Sequence, residues 1–384
     1  MDFNFTDEQK MLRDSVGRYL QGAYDTEARR AITSSESGYS AEAWAQFAEL
    51  GLLMAPFSEE DGGLGGGPIE TLVVMEEFGR TLVVEPYIPT VVCAGGFLKH
   101  AGTAAQKEEH LAPIIGGERI FAFAYAEKQS RYDLFDVATT AKKDGAGYVL
   151  NGEKSVVIGA PWADHLIVTA RTSGDRRDAG GVTVFIVPKD ANGVSTRDYP
   201  TVDGLRASEV YLENVSVGAD AVLGDVDGGL PLVEQVADEA IAALGAEAIG
   251  AMKSLHDATV EYSKTRKQFG VPIGKFQVLQ HRMVDMFMAY EQSVSMTYML
   301  TLRLDEDDIE RKKAASAAKV QIGRAGRLIG QDAVQIHGGM GMTDELAVGH
   351  YFKRLTMIDT AFGNVDYHLR RHAMLANVDA VAAE

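Results

Sequence analysis

Three groups of residues in this chain have types and spacings that chemistry can use. The first is "RKQFG" (266–270), in which Arg266, Gln268 and Phe269 follow a helical stretch and precede Gln277. An Arg at a helix C-terminus compensates the dipole, and the same cation can neutralise a phosphate-bearing ligand. The second is "QIHGGMGM" (335–342), where Gln335 ends a helix and Gly338 is a natural C-cap. The glycines Gly338 and Gly339 make either a tight turn or a place where backbone approaches a ligand closely. The third is a set of acids able to act as a general base. Asp238, Glu239 and Glu247 share one helical stretch, while Asp359 and Asp366 flank the pair Phe362-Gly363. A bulky hydrocarbon at the centre of "KRLTMIDTAFGNVD" (353–366) is the anomaly to be explained. Other templates are missing. There is no G-x-S-x-G, H-E-x-x-H, Walker A or strand-to-helix G-x-G-x-x-G, and the nine histidines lack metal-ligand spacing, so no metal is expected.

The elements that position these groups fall into three stretches. Thr6 and Gln9 form a capping box for a first helix, with Asp7 and Glu8 at its positive end. Helical periodicity continues through "SAEAWAQFAELGLL" and "PIETLVVMEEFGRTL", with "SEEDGGLGGG" as a surface loop between them. From about residue 120 the period changes. "HLIVTART" and "GVTVFIVPKD" read as strands, and Asn151-Gly152 in "YVLNGEKSVVIG" predicts a hairpin turn, so this region reads as antiparallel β to about 225. Helical patterning returns after Pro231. Six of the ten prolines lie between 86 and 200 and none follows Pro272, which fits long helices. Gly323, Gly326 and Gly330 in "GRAGRLIG" each cost about 1 kcal/mol inside a helix, and close helix packing is the expected return.

Composition limits the function classes. A chain of 384 residues with 46% hydrophobic and 24% charged residues holds two or three globular domains. Its net charge of −18 opposes nucleic acid and anionic membranes, and no window reaches the roughly 18 apolar residues of a membrane span. The acidic start "MDFNFTDEQK" lacks the basic and apolar regions of a signal peptide, so none is expected there. Cys93, alone, forms no internal disulfide; a reducing, cytoplasmic location is expected.

Taken together, "YSKTRKQFGVPIGKFQ", "IGQDAVQIHGGMGMTDE" and the order helices–β–helices resemble the acyl-CoA dehydrogenase flavoproteins over nearly the whole chain. The resemblance implies a mostly α fold with a middle β domain: an N-terminal α domain (1–120), a central β barrel (121–228) and a C-terminal four-helix bundle (229–384). It implies FAD at a dimer interface within a homo- or hetero-tetramer. It also implies α,β-dehydrogenation of an acyl-CoA, with electrons passing to an electron-transfer flavoprotein. Arg266, Gln268 and Phe269 match the cofactor-contacting R-x-x-F segment, and Gln277 a glutamine just downstream. Gln335, Gly338 and Gly339 match the segment that reaches across the interface to the nucleotide half of FAD.

In the β domain the match is poorer. Phe123 and Glu127 remain beside the expected flavin ring, but Ala126 stands where a hydroxyl is usual, and in "KSVVIGA" Val156 replaces a Trp and Ile158 a Thr. The base is missing as well. Counted from Gly338, the family's Glu-Gly falls on Phe362-Gly363. The alternative position on a bundle helix, counted back from "RKQFG", falls on Ala240. Glu239 is adjacent but about 100° round the helix. This pattern resembles the smaller subunits of heteromeric acyl-CoA dehydrogenases of pimeloyl-CoA and steroid side-chain degradation. The expectation is a base-lacking subunit whose activity belongs to the complex. The alternatives are a self-sufficient enzyme using Glu239 as its base, and a non-catalytic structural partner.

Overall fold

The computed structural model describes residues 5–382, with side chains through 377. Helices come first: α1 (Asp7–Ala23), α2 (Thr26–Ser34), α3 (Ala41–Glu49) and α4 (Pro68–Thr81). The capping box of α1 is present, since the Thr6 side chain accepts from the Gln9 backbone and Gln9 reciprocates. Shorter turns follow, α5 (Gly95–Ala101), α6 (Ala104–Gln106) and α7 (Ala112–Ile115). Eight strands then build one sheet: β1 (Phe121–Ala124), β2 (Thr140–Asp144), β3 (Gly147–Ile158), β4 (His165–Arg171), β5 (Val182–Pro188), β6 (Val194–Pro200), β7 (Arg206–Val217) and β8 (Val222–Leu223). The last part is helical again: α8 (Leu230–Thr265), α9 (Gln277–Leu302), α10 (Asp308–His337), α11 (Ala347–Thr360) and α12 (Val365–Ala382).

The chain packs as two compact units. One comprises residues 1–31, 68–83 and 241–384; the other comprises 32–67 and 84–240 and contains the whole sheet. In the first unit, glycines set the helix spacing. A Cβ on Gly79 would lie 1.9 Å from the Glu247 carbonyl oxygen, and one on Gly250 would lie 1.9 Å from that of Glu76. No larger residue fits between α4 and α8 there. On α10 the three glycines noted in the sequence face α11 at Asp359, Leu355 and Phe352, with hypothetical Cβ contacts of 2.2, 3.4 and 2.5 Å. Close packing is their role.

The sheet departs from the sequence reading in three respects. Its order is β6-β7-β3-β2-β4-β5-β8, with β1 beside β4, and among the described residues no pairing joins β6 to β8. A closed barrel is therefore not observed. It is also not purely antiparallel, because β1 runs parallel to β4 from Phe121 opposite His165 to Ala124 opposite Val168. The long connection between these strands permits that crossover, as a tight hairpin would not. Finally, Asn151-Gly152 is not a turn. β3 runs straight through it, and the hairpin closes earlier, where Asp144 pairs with Gly147. Instead the register with β7 shifts between Leu150 and Gly152. Asn151 Oδ1 accepts from the backbone of Asn214 at 2.8 Å. A Cβ on Gly152 would meet the Thr139 side chain at 2.5 Å, so glycine there serves a close approach rather than a bend.

Candidate active site

Arg266 stands one residue beyond the end of α8, exposed, and its guanidinium forms no ion pair among the described residues. The chain then makes a short ribbon in which Lys267–Gln268 pairs with Val271–Pro272. Both turn residues have positive φ, +52° at Phe269 and +81° at Gly270. Two such residues make the tight turn that suits strand twist, but a Phe there is strained. Its ring is 92% exposed and stands nearly perpendicular to that of Phe276, with centroids 6.1 Å apart. Gln268 and Gln277 are also exposed.

The second motif lies beside the first. Tyr262, in the last turn of α8, stacks on His337 with centroids 4.2 Å apart and planes 27° from parallel. That stack packs the "RKQFG" and "QIHGG" segments together at one end of the helices. Gly338 ends α10 with φ +61°. Gln335, Gly338 and Gly339 are exposed, and an ideal Cβ on either glycine meets nothing within 4 Å. Space, not internal crowding, surrounds this backbone.

On the sheet, Phe123 is buried in β1 against Phe97, with ring centroids 4.8 Å apart. Ala126 lies just past β1, and its carbonyl accepts from the Ser155 amide at 2.8 Å. Val156 sits in a second register shift of β3, between Lys154 and Val157, with φ +52° and its side chain 48% exposed. A β-branched residue in that conformation is a genuine outlier. Ile158, two residues on, is half-buried.

Beneath this wall lies an ion pair whose importance the sequence did not signal. Lys154 is fully buried and donates to Glu127 Oε1 at 2.7 Å and to Thr169 at 3.0 Å. Glu127 also accepts from Gln129 at 2.6 Å and from the amides of Ala138 and Thr139 at 2.8 and 3.1 Å. Burial pushes this carboxyl up, but the Lys154 charge and the hydrogen bonds prevail and bring it to about 2. The pair locks the β1 end to β3, on either side of Ala126 and Val156.

The acids of α8 have separate fates. Glu239 approaches His100 of α5, Oε1 to Nε2, at 2.6 Å, and its other oxygen packs over Gly96. Ala240 and Asp238 are fully buried. Glu247, further along, is held by both guanidinium branches of Arg354 on α11, at 2.5 and 2.6 Å.

Phe362 occupies a turn between α11 and α12 with φ +54°, followed by Gly363 at φ +111°. Two buried groups hold this turn. The Lys319 ammonium donates to the carbonyls of Ile358, Asp359 and Gly363 at 2.7, 2.9 and 2.7 Å. His368 Nε2 lies 2.9 Å from the Phe362 carbonyl. Asp359 points to α10 rather than into the turn: its Oδ1 crowds Gly323, and Arg327 lies 3.5 Å from Oδ2. Asp366, on the first turn of α12, is exposed. Lys319 was legible only as a lysine on an otherwise apolar stripe, with Ala315, Ala318 and Ile322 around it.

Seven non-glycine residues among those described have positive φ, and Val156, Phe269 and Phe362 are three of them. Each such conformation costs about 1–3 kcal/mol, and strain of this kind collects where geometry serves function. All three are positions for which the family resemblance implies a ligand or a reacting group.

The acyl-CoA dehydrogenase N-terminal, middle and C-terminal domains match residues 6–118, 122–215 and 227–375. The probable acyl-CoA dehydrogenase YngJ of Bacillus subtilis (strain 168) is 31% identical over 368 residues, covering 94% of this chain and 96% of the relative. This chain belongs to the acyl-CoA dehydrogenase family. Its members are FAD-dependent oxidoreductases that dehydrogenate acyl-CoA thioesters. Among solved structures, the steroid acyl-CoA dehydrogenase Tcur3481-Tcur3483 is 28% identical with a TM-score of 0.89, over 98% of this chain and 99% of that one. The ChsE4-ChsE5 complex from Mycobacterium tuberculosis is 25% identical with a TM-score of 0.89, over 97% and 98%.

FAD suits the residues present. Arg266 offers an exposed cation for a diphosphate, Gly338 and Gly339 offer open backbone, and Phe269 offers an apolar face held outward. Val156 and Ile158 present an apolar surface in place of side-chain hydroxyls.

Proposed function

We propose that this chain is the base-lacking subunit of a heteromeric acyl-CoA dehydrogenase. The observation that carries the reading is Phe362, which stands in the turn where the family's carboxylate is expected and cannot take a proton. Ala240 leaves the alternative position equally inert. Two acids of α8 are otherwise engaged, Glu239 with His100 and Glu247 with Arg354. Two of the structures similar to this chain are of paired dehydrogenase chains by their names, which supports a hetero-oligomer.

In this reading residues 1–120, 121–228 and 229–384 are the three family domains, assembled with a second dehydrogenase chain as a tetramer. The chemistry that FAD would supply here is that of a hydride acceptor, with an electron-transfer flavoprotein as the onward electron acceptor. Arg266 neutralises its diphosphate, while Gln268, Phe269 and Gln277 pack along it. Gln335, Gly338 and Gly339 serve the nucleotide half of a site completed by the other chain. Phe123, Ala126, Val156 and Ile158 form an apolar wall for the ring. The partner supplies the carboxylate that removes the α-proton.

The test is a mixing experiment. The chain is combined with a carboxylate-bearing dehydrogenase chain, and acyl-CoA turnover is followed with an artificial electron acceptor. Turnover is expected only on mixing, and Glu239→Gln should leave it unchanged. Full turnover by the isolated chain, lost in Glu239→Gln, overturns the reading in favour of Glu239 as the base.

A further inference from the structure

The turn that carries Phe362 is held far more elaborately than a hydrocarbon side chain requires. Lys319, 1% exposed on α10, has three N–H groups and three carbonyl acceptors. Two of these, on Ile358 and Asp359, are carbonyls that the end of α11 leaves without helical partners. The third, on Gly363, lies beyond the turn. One ammonium therefore ties together the chain before residue 362 and the chain after it. The match of three donors to three acceptors holds only for the charged form, and burial pulls that ammonium down to about 7, so the match is fullest below neutral pH.

His368 fixes the residue in between. It is fully buried on α12, and the Phe362 carbonyl at 2.9 Å can only accept, so Nε2 carries the proton. Nδ1 then accepts from the Ser316 hydroxyl at 3.3 Å. Burial, with the Lys319 and Arg371 charges, pulls the imidazole down to about 3, so it stays neutral and this tautomer is kept. The ring also sets the neighbour: a Cβ on Gly363 would lie 2.5 Å from the Tyr367 ring and 2.7 Å from His368 Nε2. Gly363 is thereby confined to glycine, and the backbone of 362 is bounded on both sides.

We infer that Lys319 and His368 are positioning residues that hold residue 362 in its left-handed conformation whatever side chain it carries. The turn is thus a ready-made mount for a base, occupied here by Phe. Only the statement that residue 362 stands at the reacting position rests on the proposed function; the clasp is independent of it.

Two readouts test this. The first is backbone hydrogen exchange in peptides spanning 357–368, compared with 320–335 as an internal control. Lys319→Met and His368→Leu should speed exchange in the turn by about tenfold or more, as loss of hydrogen bonds from a charged or buried donor implies, with the control unchanged. His368→Gln, which keeps a side-chain N–H, should recover much of the protection. The second uses Phe362→Glu in the FAD-loaded protein. Adding Lys319→Met should lower kcat by about tenfold while KM stays within about twofold, because the carboxylate is misplaced rather than the substrate lost. Unchanged exchange in a folded Lys319→Met, or an unchanged kcat, overturns the inference. If Lys319→Met does not fold, equal protection in His368→Leu and wild type overturns it instead. If Phe362→Glu is inactive, hydrogen exchange still decides the clasp, and the failure falls on the proposed function alone.

Discussion

The tip formed by "RKQFG" and "QIHGG" and the turn around Phe362 are opposites. At the tip the family's residue types are all present, yet the chain gives them little support: Phe269 is 92% exposed in a strained turn, and Gly338 and Gly339 face open space. At the Phe362 turn the proposed reading finds no reacting group, yet the support is complete, with Lys319 and His368 fully engaged. The contrast teaches that scaffold and chemistry are specified by different residues; on the proposed reading, the exposed motif serves a site completed by a second chain. Substitutions at four places break or sharpen this contrast.

The largest effect is expected at the turn. On the proposed reading, Phe362→Glu restores the proton-transfer contribution, commonly worth about 10²–10⁴-fold in rate. Turnover of the isolated variant against wild type checks it. The mount must be intact for that gain, which is why the turn's hydrogen exchange belongs beside the assay.

Next comes the Glu127–Lys154 pair. Replacing Lys154 with Met leaves a buried carboxylate uncompensated and should cost about 3–5 kcal/mol in denaturant unfolding. The pH dependence follows from the carboxyl being held at about 2, below its ordinary 4.5. A depressed acid contributes stability that is present above 4.5 and is lost as pH falls toward 2. Wild type should therefore lose stability over that window, and Glu127→Gln should lose less.

At the tip, Arg266→Ala removes charge-assisted hydrogen bonds worth about 1.5–3 kcal/mol, so FAD should bind roughly 10- to 100-fold more weakly with helicity unchanged. Stoichiometric FAD in that variant, measured by absorbance after gel filtration, rules the assignment out. The smallest effect is on folding in Phe269→Gly. It relieves a left-handed Phe at about 1–2 kcal/mol and gives back much of that as unfolded-chain entropy. Thermal stability should stay within a few degrees while oligomer formation and FAD retention weaken. A large loss of stability would mean that Phe269 packs within its own chain.

Much of this was legible in the residues. Apolar periodicity, the Thr6–Gln9 capping box and the late absence of proline located the long helices. The two C-terminal motifs stood out through their combination and order, since each alone reads as an ordinary helix end. The sheet was read less well, because Asn151-Gly152 has the local chemistry of a turn while its glycine answers to Thr139, a contact set by strand packing. Positive φ at Val156 and Phe362 was likewise invisible, since neither residue type favours it. Lys319 and His368 escaped notice because their partners are backbone carbonyls 39 to 44 residues away and six residues away, and carbonyls leave no mark in a sequence.

The central claim is that this chain lacks a base of its own. The most direct measurement is anaerobic titration of the isolated, FAD-reconstituted wild-type protein with acyl-CoA thioesters, following the visible absorbance of the oxidised flavin. The account predicts that the flavin stays oxidised, and that it bleaches when a carboxylate-bearing dehydrogenase chain is added. Rapid bleaching of the isolated chain, abolished by Glu239→Gln, would contradict it.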